Sequence, residues 1–259
     1  MHTIPSLKMD FRNLGLSRGM SVIVHTGFSK VGDVNGGPAG LILALEETVT
    51  PIGNIVMPTM SANLTDPAEW YSSKVPQSEW QEIKRTMPVY DKRFSPTHKM
   101  GIVAEVFRKQ PGVVRSNHPA VSFAAWGEKA QHIVRNHKLD FPTGKGTPLH
   151  RLYRLNGRIL LIGVDHRVNT SLHLAENLIG SEIRGWHWEA SPVTVDGRKK
   201  WKRWRELNLE GGDWFAALGE SFKESCPSLV HRGKVGNAVS CILPMRQLVD
   251  FAVEVWRKD

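Results

Sequence analysis

Two side chains of this sequence are well placed for proton chemistry, the imidazole of His173 and the carboxylate of Glu176. If they lie on one helix, their spacing of three residues puts both on one face, where the carboxylate can orient the ring. In the first turn of a helix the dipole disfavours a protonated imidazole, and a neutral, oriented imidazole is a good general base. A partly buried histidine without any catalytic role fits the same spacing. The spacing alone leaves both interpretations open.

The elements that would position His173 are predicted from the sequence on either side of it. Residues 159–164 form a continuous apolar run without a helical stripe, which predicts a strand buried on both faces and ending near Asp165. The segment LHLAENLI then predicts a helix that stops at Gly180. Its first N–H groups need an acceptor, and one of three residues is expected to cap them: Asn169, Thr170, Ser171.

The composition suits one large globular domain or two closely fused halves, and we expect a single domain over residues 1–259. The chain has 259 residues, of which 41% are hydrophobic and 23% charged, so a substantial core can form. The formal net charge of +9 is compatible with nucleic acid, an acidic membrane surface or a small polyanion such as a nucleotide or coenzyme. No apolar stretch has the length of a signal peptide core or a membrane span, so we expect a cytoplasmic protein without a membrane partner.

The histidine and cysteine spacing does not favour a metal site. Cys226 and Cys241 lack metal-ligand spacing and are expected to be reduced thiols. A metal-dependent hydrolase is an alternative because His166, His173 and Glu176 are close in sequence. There is no HExxH or comparable pattern, so we expect no metal.

The remaining patterns predict an α/β order. The segment SVIVH predicts a strand, a glycine-bearing loop follows, a helix begins at Pro38, and NIVMPT predicts a second strand. Such a loop offers backbone N–H groups to phosphates, although neither GxGxxG nor GxxxxGK[ST] is present. Further elements are a short helix after Pro76, a helix over 100–108, a strand over 119–127, a helix over 128–135, a strand over 235–243 and a helix over 246–256.

Residues 61–96 form a polar insertion rich in proline and tryptophan. A segment of this length is more typical of a binding surface than of a simple connection. Its binding residues are expected to be Asp66, Glu69, Trp70 and Asp91, with solvated loop positions as the alternative.

Residues 198–205, RKKWKRWR, contain six basic residues and two tryptophans. This composition could hold phosphates and stack bases. However, the run follows an Asp196-Gly197 turn, and a basic outer strand is a common protection against edge pairing. We therefore favour an edge strand and expect no nucleic-acid partner.

Several stretches together resemble the aminoglycoside 3-N-acetyltransferase family. In chain order they are VHTGFSKVG with NGG, IVMPTMSANLTDPAEW, MPVYD with SPT, GVVRSNHPAVSFAAWG, GTPLHRLY, LLIGVDHRVNTSLHLAE and ILPMRQLVDFAVEVW. The most specific are NTSLHLAE and RSNHPAVSFAAWG. The resemblance covers nearly the whole chain and implies an α/β fold with a mixed central β-sheet flanked by helices. It also implies that acetyl-CoA is the co-substrate.

The resemblance and the charge pattern together predict the site residues. His173 is expected to be the base, with Glu176, or alternatively Asp165, holding its other ring nitrogen. The coenzyme is expected to contact His25, Thr26, Gly27, Ser29, Lys30, Val31, Gly32, Ser116, Asn117 and His118. A polycationic acceptor needs local carboxylates, and its expected contacts are Thr59, Asp66, Glu69, Trp70, Asp91, Asn169 and Glu206.

The sequence departs from the family pattern at two places. Many relatives have two adjacent serines where this chain has Thr26-Gly27, so one hydroxyl contact to the coenzyme is missing. Residues 165–167 read Asp-His-Arg where relatives more often have Gly, His and an acidic residue. Arg167 is thus expected to bring positive charge towards the acceptor side and to limit which aminoglycosides are accepted.

The hypothesis is an N-acetyltransferase that modifies the 3-amino group of the 2-deoxystreptamine ring of aminoglycosides and confers resistance. The alternative is the same chemistry on another amine, biosynthetic or xenobiotic. A homodimer is compatible with the sequence but is not indicated by it.

Overall fold

The strands next to the predicted catalytic helix are buried on both faces, as the apolar runs require. The computed structural model describes residues 1–70 and 75–258. Its strands are β1 Ser21–Thr26, β2 Asn54–Pro58, β3 Val114–Arg115, β4 Phe123–Gly127, β5 Arg158–Ile162, β6 Trp186–Val195, β7 Arg198–Leu207, β8 His231–Val235 and β9 Ala238–Pro244. Its α-helices are α1 Ile4–Asn13, α2 Gly37–Val49, α3 Trp80–Thr86, α4 Gly101–Phe107, α5 Ala130–Val134, α6 Pro148–Arg154, α7 Leu172–Ile179, α8 Ser181–Arg184, α9 Asp213–Ser225 and α10 Met245–Trp256.

Seven strands form a mixed central sheet in the order β3-β4-β2-β1-β5-β9-β8. β1 is parallel to both β2 and β5, whereas β4 and β9 extend the sheet in antiparallel pairing. Side chains alternate between the faces: Leu160 and Ile162 join the core under α1, α2 and α4, while Ile159 and Leu161 join the core under α6, α7 and α10. The expected α/β fold with helices on both sides of a mixed sheet is therefore confirmed.

The carboxyl ends of the three parallel strands meet at one edge of the sheet. β1 ends at Thr26, β2 at Pro58 and β5 at Ile162, and α7 follows β5 after a short 3-10 turn at His166–Val168. Ligands of open α/β sheets bind at this edge. The fold thus places the residues around His173 where a site is expected.

β6 and β7 form a separate two-stranded antiparallel ribbon. The strands are joined by the predicted turn at Asp196-Gly197. The Nζ group of Lys199 donates to the carbonyls of Lys84, Arg85 and Met87 at the end of α3, at 3.0, 2.9 and 2.6 Å. The basic run thus includes a helix-capping contact to the polar insertion.

Some sequence-based boundaries were wrong. The segment 235–243, predicted as one strand, is the end of β8, a turn at Gly236 and Asn237, and β9. Gly236 has φ 58°, and a Cβ there would lie 2.5 Å from the carbonyl oxygen of Val31, so the chain turns at a glycine. Helices α1 and α9 were not predicted. Among the described residues, no helix is long and apolar enough to cross a bilayer.

Gly127, at the end of β4, is predicted to tolerate no side chain. Its φ is 110° and a Cβ would lie 1.9 Å from the carbonyl oxygen of Gly53, whereas Gly197 also has a positive φ, 71°, but open space around it. Gly127→Ala should lower the free energy of unfolding by about 2 kcal/mol more than Gly197→Ala, because the clash adds to the backbone strain. Urea denaturation measures both variants, and equal losses would contradict the close approach.

Candidate functional site

His173 is the second residue of α7 and faces a cleft at the carboxyl edge of the sheet. Its Nδ1 lies 2.7 Å from Oε2 of Glu176. Since an ionised carboxylate only accepts hydrogen bonds, Nδ1 must donate, and a neutral ring then has its lone pair on Nε2. The side chain of His173 is 21% exposed and that of Glu176 is fully buried. This is the geometry of a base and the group that orients it.

The other predicted partner of His173 lies elsewhere. The carboxylate of Asp165 accepts from the main-chain N–H of Arg167 at 2.9 Å and pairs with the Arg167 guanidinium. Arg167 also pairs with Asp213 at 2.8 Å. Of the two carboxylates proposed as orienting group, the structure therefore brings only Glu176 to the ring.

The first turn of α7 has no side-chain cap. The N–H groups of Leu172, His173 and Leu174 reach the carbonyls of Asn169, Thr170 and Ser171 at 3.1 Å each. Asn169 is fully buried and its Oδ1 accepts from the N–H of Ser171 at 3.1 Å. The predicted side-chain cap of the helix is wrong because main-chain carbonyls satisfy these donors first.

We call the cavity beside His173 the base cleft. It has a volume of about 420 Å³ and is lined by Val24, His25, Thr26, Met57, Pro58, Met60, Lys99, Met100, Gly101, Ala104, Val164, Arg167, Val168, Thr170, His173 and Phe215. Phe215 contacts the imidazole of His173, with ring centres 5.0 Å apart. The cleft is largely apolar around the imidazole, which suits a neutral base.

His25 contributes a neutral imidazole to the base cleft. Burial, together with the nearby His166 and His173, lowers the pKa of His25 to about 3. Its Nε2 is buried and has no hydrogen-bond partner within the described part of the chain. An unpaired ring nitrogen in a cleft is available to a bound ligand.

The rest of the predicted coenzyme loop has structural contacts. Thr26 lines the base cleft, but Val31 belongs to the core, and Cβ atoms at Gly27 and Gly32 would lie 2.8 and 2.6 Å from Gly163 and Asn237. Ser29 and Lys30 are exposed at the 3-10 turn Phe28–Lys30.

The second predicted coenzyme segment, residues 116–118, lies mostly inside the protein. Ser116 and His118 are buried and Asn117 is exposed. The Oγ of Ser116 lies 2.9 Å from Nδ1 of His137, and Nε2 of His118 lies 3.1 Å from the carbonyl oxygen of Leu139. The structure thus gives Ser116 and His118 a buried network and does not place them in the base cleft.

A second cavity, here called the acidic cavity, shares the lining residue Lys99 with the base cleft. Its volume is about 900 Å³, and it is lined by Ala62, Asn63, Thr65, Glu69, Trp70, His98, Lys99, Ala120, Val121, His187, Glu189, Trp204, Glu206, Leu207, Asn208 and Leu209. Glu69, Trp70 and Glu206 were predicted to bind the acceptor, and the structure brings them together. A cavity with three carboxylates suits a cation.

Two of these carboxylates are unusually hard to ionise. Burial raises the pKa of Glu206 to about 8 and that of Glu189 to about 7. One buried oxygen of each, Oε1 of Glu206 and Oε2 of Glu189, has no partner among the described residues. A cationic ligand would supply the missing donors and favour the ionised carboxylates.

Four predicted acceptor residues do not line the acidic cavity. Thr59 is fully buried, and its carbonyl oxygen accepts from Arg115. Asp91 caps a turn by accepting from the N–H groups of Arg93 and Phe94 at 2.7 and 3.0 Å. The fully buried side chain of Asn169 accepts from the main-chain N–H of Ser171, just before α7. Asp66, also predicted, pairs with Lys84 in a neighbouring cavity that shares Glu69 and Glu189.

Sequence reasoning missed several residues of the site. Glu189 could have been found, because a two-residue turn at Asp196-Gly197 fixes the ribbon register and pairs Glu189 with Trp204 and His187 with Glu206. Lys99, at φ 57°, and Phe215 gave no such signal. No group of side chains suited to a metal ion occurs in the chain regions described.

Comparisons with known proteins identify the family. The family model for aminoglycoside 3-N-acetyltransferases matches residues 23–257. The chain belongs to this family. An aminoglycoside N(3')-acetyltransferase-like protein, YokD of Bacillus subtilis, is 40% identical over 98% of this chain and 92% of its own length. The crystal structure of YokD matches with a TM-score of 0.92 at 37% identity over 100% of both chains.

Two ligand-bound relatives of the family have the same fold. AAC-IIIb with CoASH matches with a TM-score of 0.86 at 28% identity, over 99% of this chain and 96% of that chain. AAC-VIa bound to sisomicin has a TM-score of 0.86 at 26% identity, over 99% and 97%. The predicted family, fold and acetyltransferase class are thus confirmed.

The buried Glu206 carboxyl is predicted to make stability depend on pH. Its raised pKa means that the folded state binds a proton more tightly than the unfolded state, so its contribution is lost as pH rises from about 4.5 to about 8. Glu206→Gln cannot lose this proton. Its stability relative to the unmodified protein should rise by roughly 1 kcal/mol per pH unit across that window. Thermal melts between pH 5 and 8 measure the trend, with exposed Glu224→Gln as control; a constant difference would refute it.

Proposed function

We propose that this chain transfers the acetyl group of acetyl-CoA to the 3-amino group of the 2-deoxystreptamine ring of aminoglycosides, with His173 as general base. The observation that carries the proposal is the hydrogen-bonded pair of His173 and Glu176, whose imidazole lines a cleft that shares Lys99 with an acidic cavity. Relatives with coenzyme and with sisomicin support this assignment of substrates.

The base cleft suits the reactive end of the coenzyme. It is narrow, mostly apolar and bordered by Thr26, Thr170 and the unpaired Nε2 of His25. The positive net charge of +9 favours the approach of the coenzyme phosphates, and Lys30 is exposed on the neighbouring first loop. These features support binding of acetyl-CoA with its thioester beside His173.

The acidic cavity suits the amino sugars. Glu69, Glu189 and Glu206 offer carboxylates to ammonium groups, and Trp70 offers an apolar face. Both cavities are lined by Lys99, and the proposal places an acceptor in the acidic cavity with one amine extended towards Nε2 of His173. Arg167 does not line this cavity, and its charge is balanced by Asp165 and Asp213. The expected restriction of the acceptor range by Arg167 is therefore not part of the proposal.

In the proposed reaction the ammonium first releases one proton to solvent, so that the neutral amine attacks. Nε2 of His173 then removes a second proton from the attacking nitrogen. The amine nitrogen forms a bond to the carbonyl carbon of the thioester, the C–S bond breaks, and the thiolate takes up the proton. Glu176 stabilises the imidazolium while it exists. Lys99 lines both cavities, and we assign to its ammonium group the stabilisation of the negative charge that develops on the thioester carbonyl oxygen.

We propose that the protein confers resistance to aminoglycosides and acts in the cytoplasm. The competing function is acetyl transfer to another amine. Thiol release from acetyl-CoA, measured with a panel of 2-deoxystreptamine antibiotics and unrelated amines, separates the two. Light scattering measures the oligomeric state and distinguishes a homodimer from a monomer.

His173→Ala should lower kcat for acetyl transfer by at least about 100-fold, because the general base is lost. Binding of acetyl-CoA should persist, since most of the base cleft is unchanged. Thiol release and the thermal shift caused by acetyl-CoA measure the two effects, with exposed His132→Ala as control. Near-normal turnover by His173→Ala would show that the base is assigned wrongly.

Glu206→Gln should raise the KM for the aminoglycoside by about tenfold and change the KM for acetyl-CoA little, because a carboxylate of the acidic cavity is neutralised. Steady-state kinetics with each substrate varied in turn make the comparison. Exposed Glu224→Gln removes the same charge outside both cavities. Equal increases in the two KM values for Glu206→Gln would place this residue outside the acceptor site.

A further inference from the structure

The connection between β7 and α9, residues 208–212, touches both the acidic cavity and the carboxylate behind the base. Asn208 and Leu209 line the acidic cavity. The next residue, Glu210, donates its main-chain N–H to Oε1 of Glu176 at 2.6 Å. Gly211 and Gly212 then lead into α9. One short segment therefore borders the acceptor site and contacts the group that orients His173.

Each carboxylate oxygen of Glu176 accepts a hydrogen bond from a different protein donor. Oε2 accepts from Nδ1 of His173 and Oε1 accepts from the amide of Glu210, and the side chain is fully buried. A buried carboxylate oxygen without a donor is costly, and two donors on opposite oxygens fix the rotation of the carboxylate. The second donor thus determines how Glu176 meets the imidazole.

We propose that the main-chain amide of Glu210 is a positioning group that holds Glu176, and through it the ring of His173, in the orientation that turns Nε2 towards the acceptor. The inference rests on the proposed role of His173 as base. It assigns the function to the N–H of residue 210 and not to the glutamate side chain.

The side chain of Glu210 has a separate and weaker contact. Its carboxylate pairs with Arg184 at 3.1 Å and is 52% exposed. An ion pair with this exposure contributes little to stability. The side chain and the amide can therefore be tested separately.

Gly212 makes this path of the chain possible. Its φ of 56° and ψ of −127° form a combination that residues with side chains avoid, and a Cβ at this position would meet no atom within 4 Å. Alanine at this position would therefore move the segment through the backbone alone, without a clash.

The test compares Glu210→Pro, which has no N–H, with Glu210→Ala, which keeps it, and with Arg184→Ala, which removes the ion pair and the guanidinium contact on Trp256 but leaves the amide. We expect Glu210→Pro to lower kcat by about 10- to 100-fold, the effect of losing a hydrogen bond to a charged group. The KM for acetyl-CoA should change by less than about threefold. Glu210→Ala and Arg184→Ala should lower kcat by less than about threefold.

A double variant and a spectroscopic signal show whether the amide acts through Glu176. Glu210→Pro should add little to the kcat loss of Glu176→Gln, and additive losses would overturn the inference. The proton NMR resonance of the His173 Nδ1–H should shift or broaden in Glu210→Pro and persist in Glu210→Ala. This signal does not depend on turnover, so it separates failure of the inference from failure of the proposed function.

Other outcomes also decide the question. Circular dichroism checks that Glu210→Pro is folded; if it is not, Gly212→Ala replaces it and should give the same fall in kcat and the same change in the NMR signal. Wild-type kcat in the folded proline variant, or an equal loss in Glu210→Ala, would overturn the assignment to the amide.

Discussion

The site depends on one hydrogen bond, between Nδ1 of His173 and a glutamate that has no contact with water. Glu176 is fully buried, so its charge must be satisfied by the protein, and the imidazole supplies one of the donors. This constraint fixes the tautomer and the direction of the ring. It also requires the neighbouring elements: α7 carries both side chains, α9 packs Phe215 against the ring, and the end of β7 leads to the amide of Glu210.

The proposed reaction brings together two substrates of opposite charge. A coenzyme with phosphates and a polycationic acceptor need opposite fields within a short distance. The acidic cavity concentrates three glutamates in a protein of positive net charge, and burial keeps two of them hard to ionise until a cation arrives. On the other side, Asp165 and Asp213 hold Arg167 at the border of the base cleft. The charge of each region is therefore set by its own residues and their burial, and not by the overall balance.

The strand, the helix and the pair around His173 were predictable because they depend on local patterns. An apolar run, a glycine stop and a spacing of three residues determine them without long-range information. The positions of Ser116, His118 and Thr59 were not predictable in this way: they lie in specific stretches, but their side chains form buried networks with His137, Leu139 and Arg115. Distant contacts decide whether a polar residue faces a cleft or the core, and a local pattern does not contain them. Glu189 is intermediate, since the register of the ribbon follows from its turn but the existence of the cavity does not.

The most direct measurement is a crystal structure of the protein with coenzyme A and sisomicin bound together. The account predicts the coenzyme sulfur in the base cleft, the amino sugars in the acidic cavity, and one sisomicin amine within about 3 Å of Nε2 of His173. A complex in which the sulfur and the amine meet away from His173, with its ring still bound only to Glu176, would contradict the central claim.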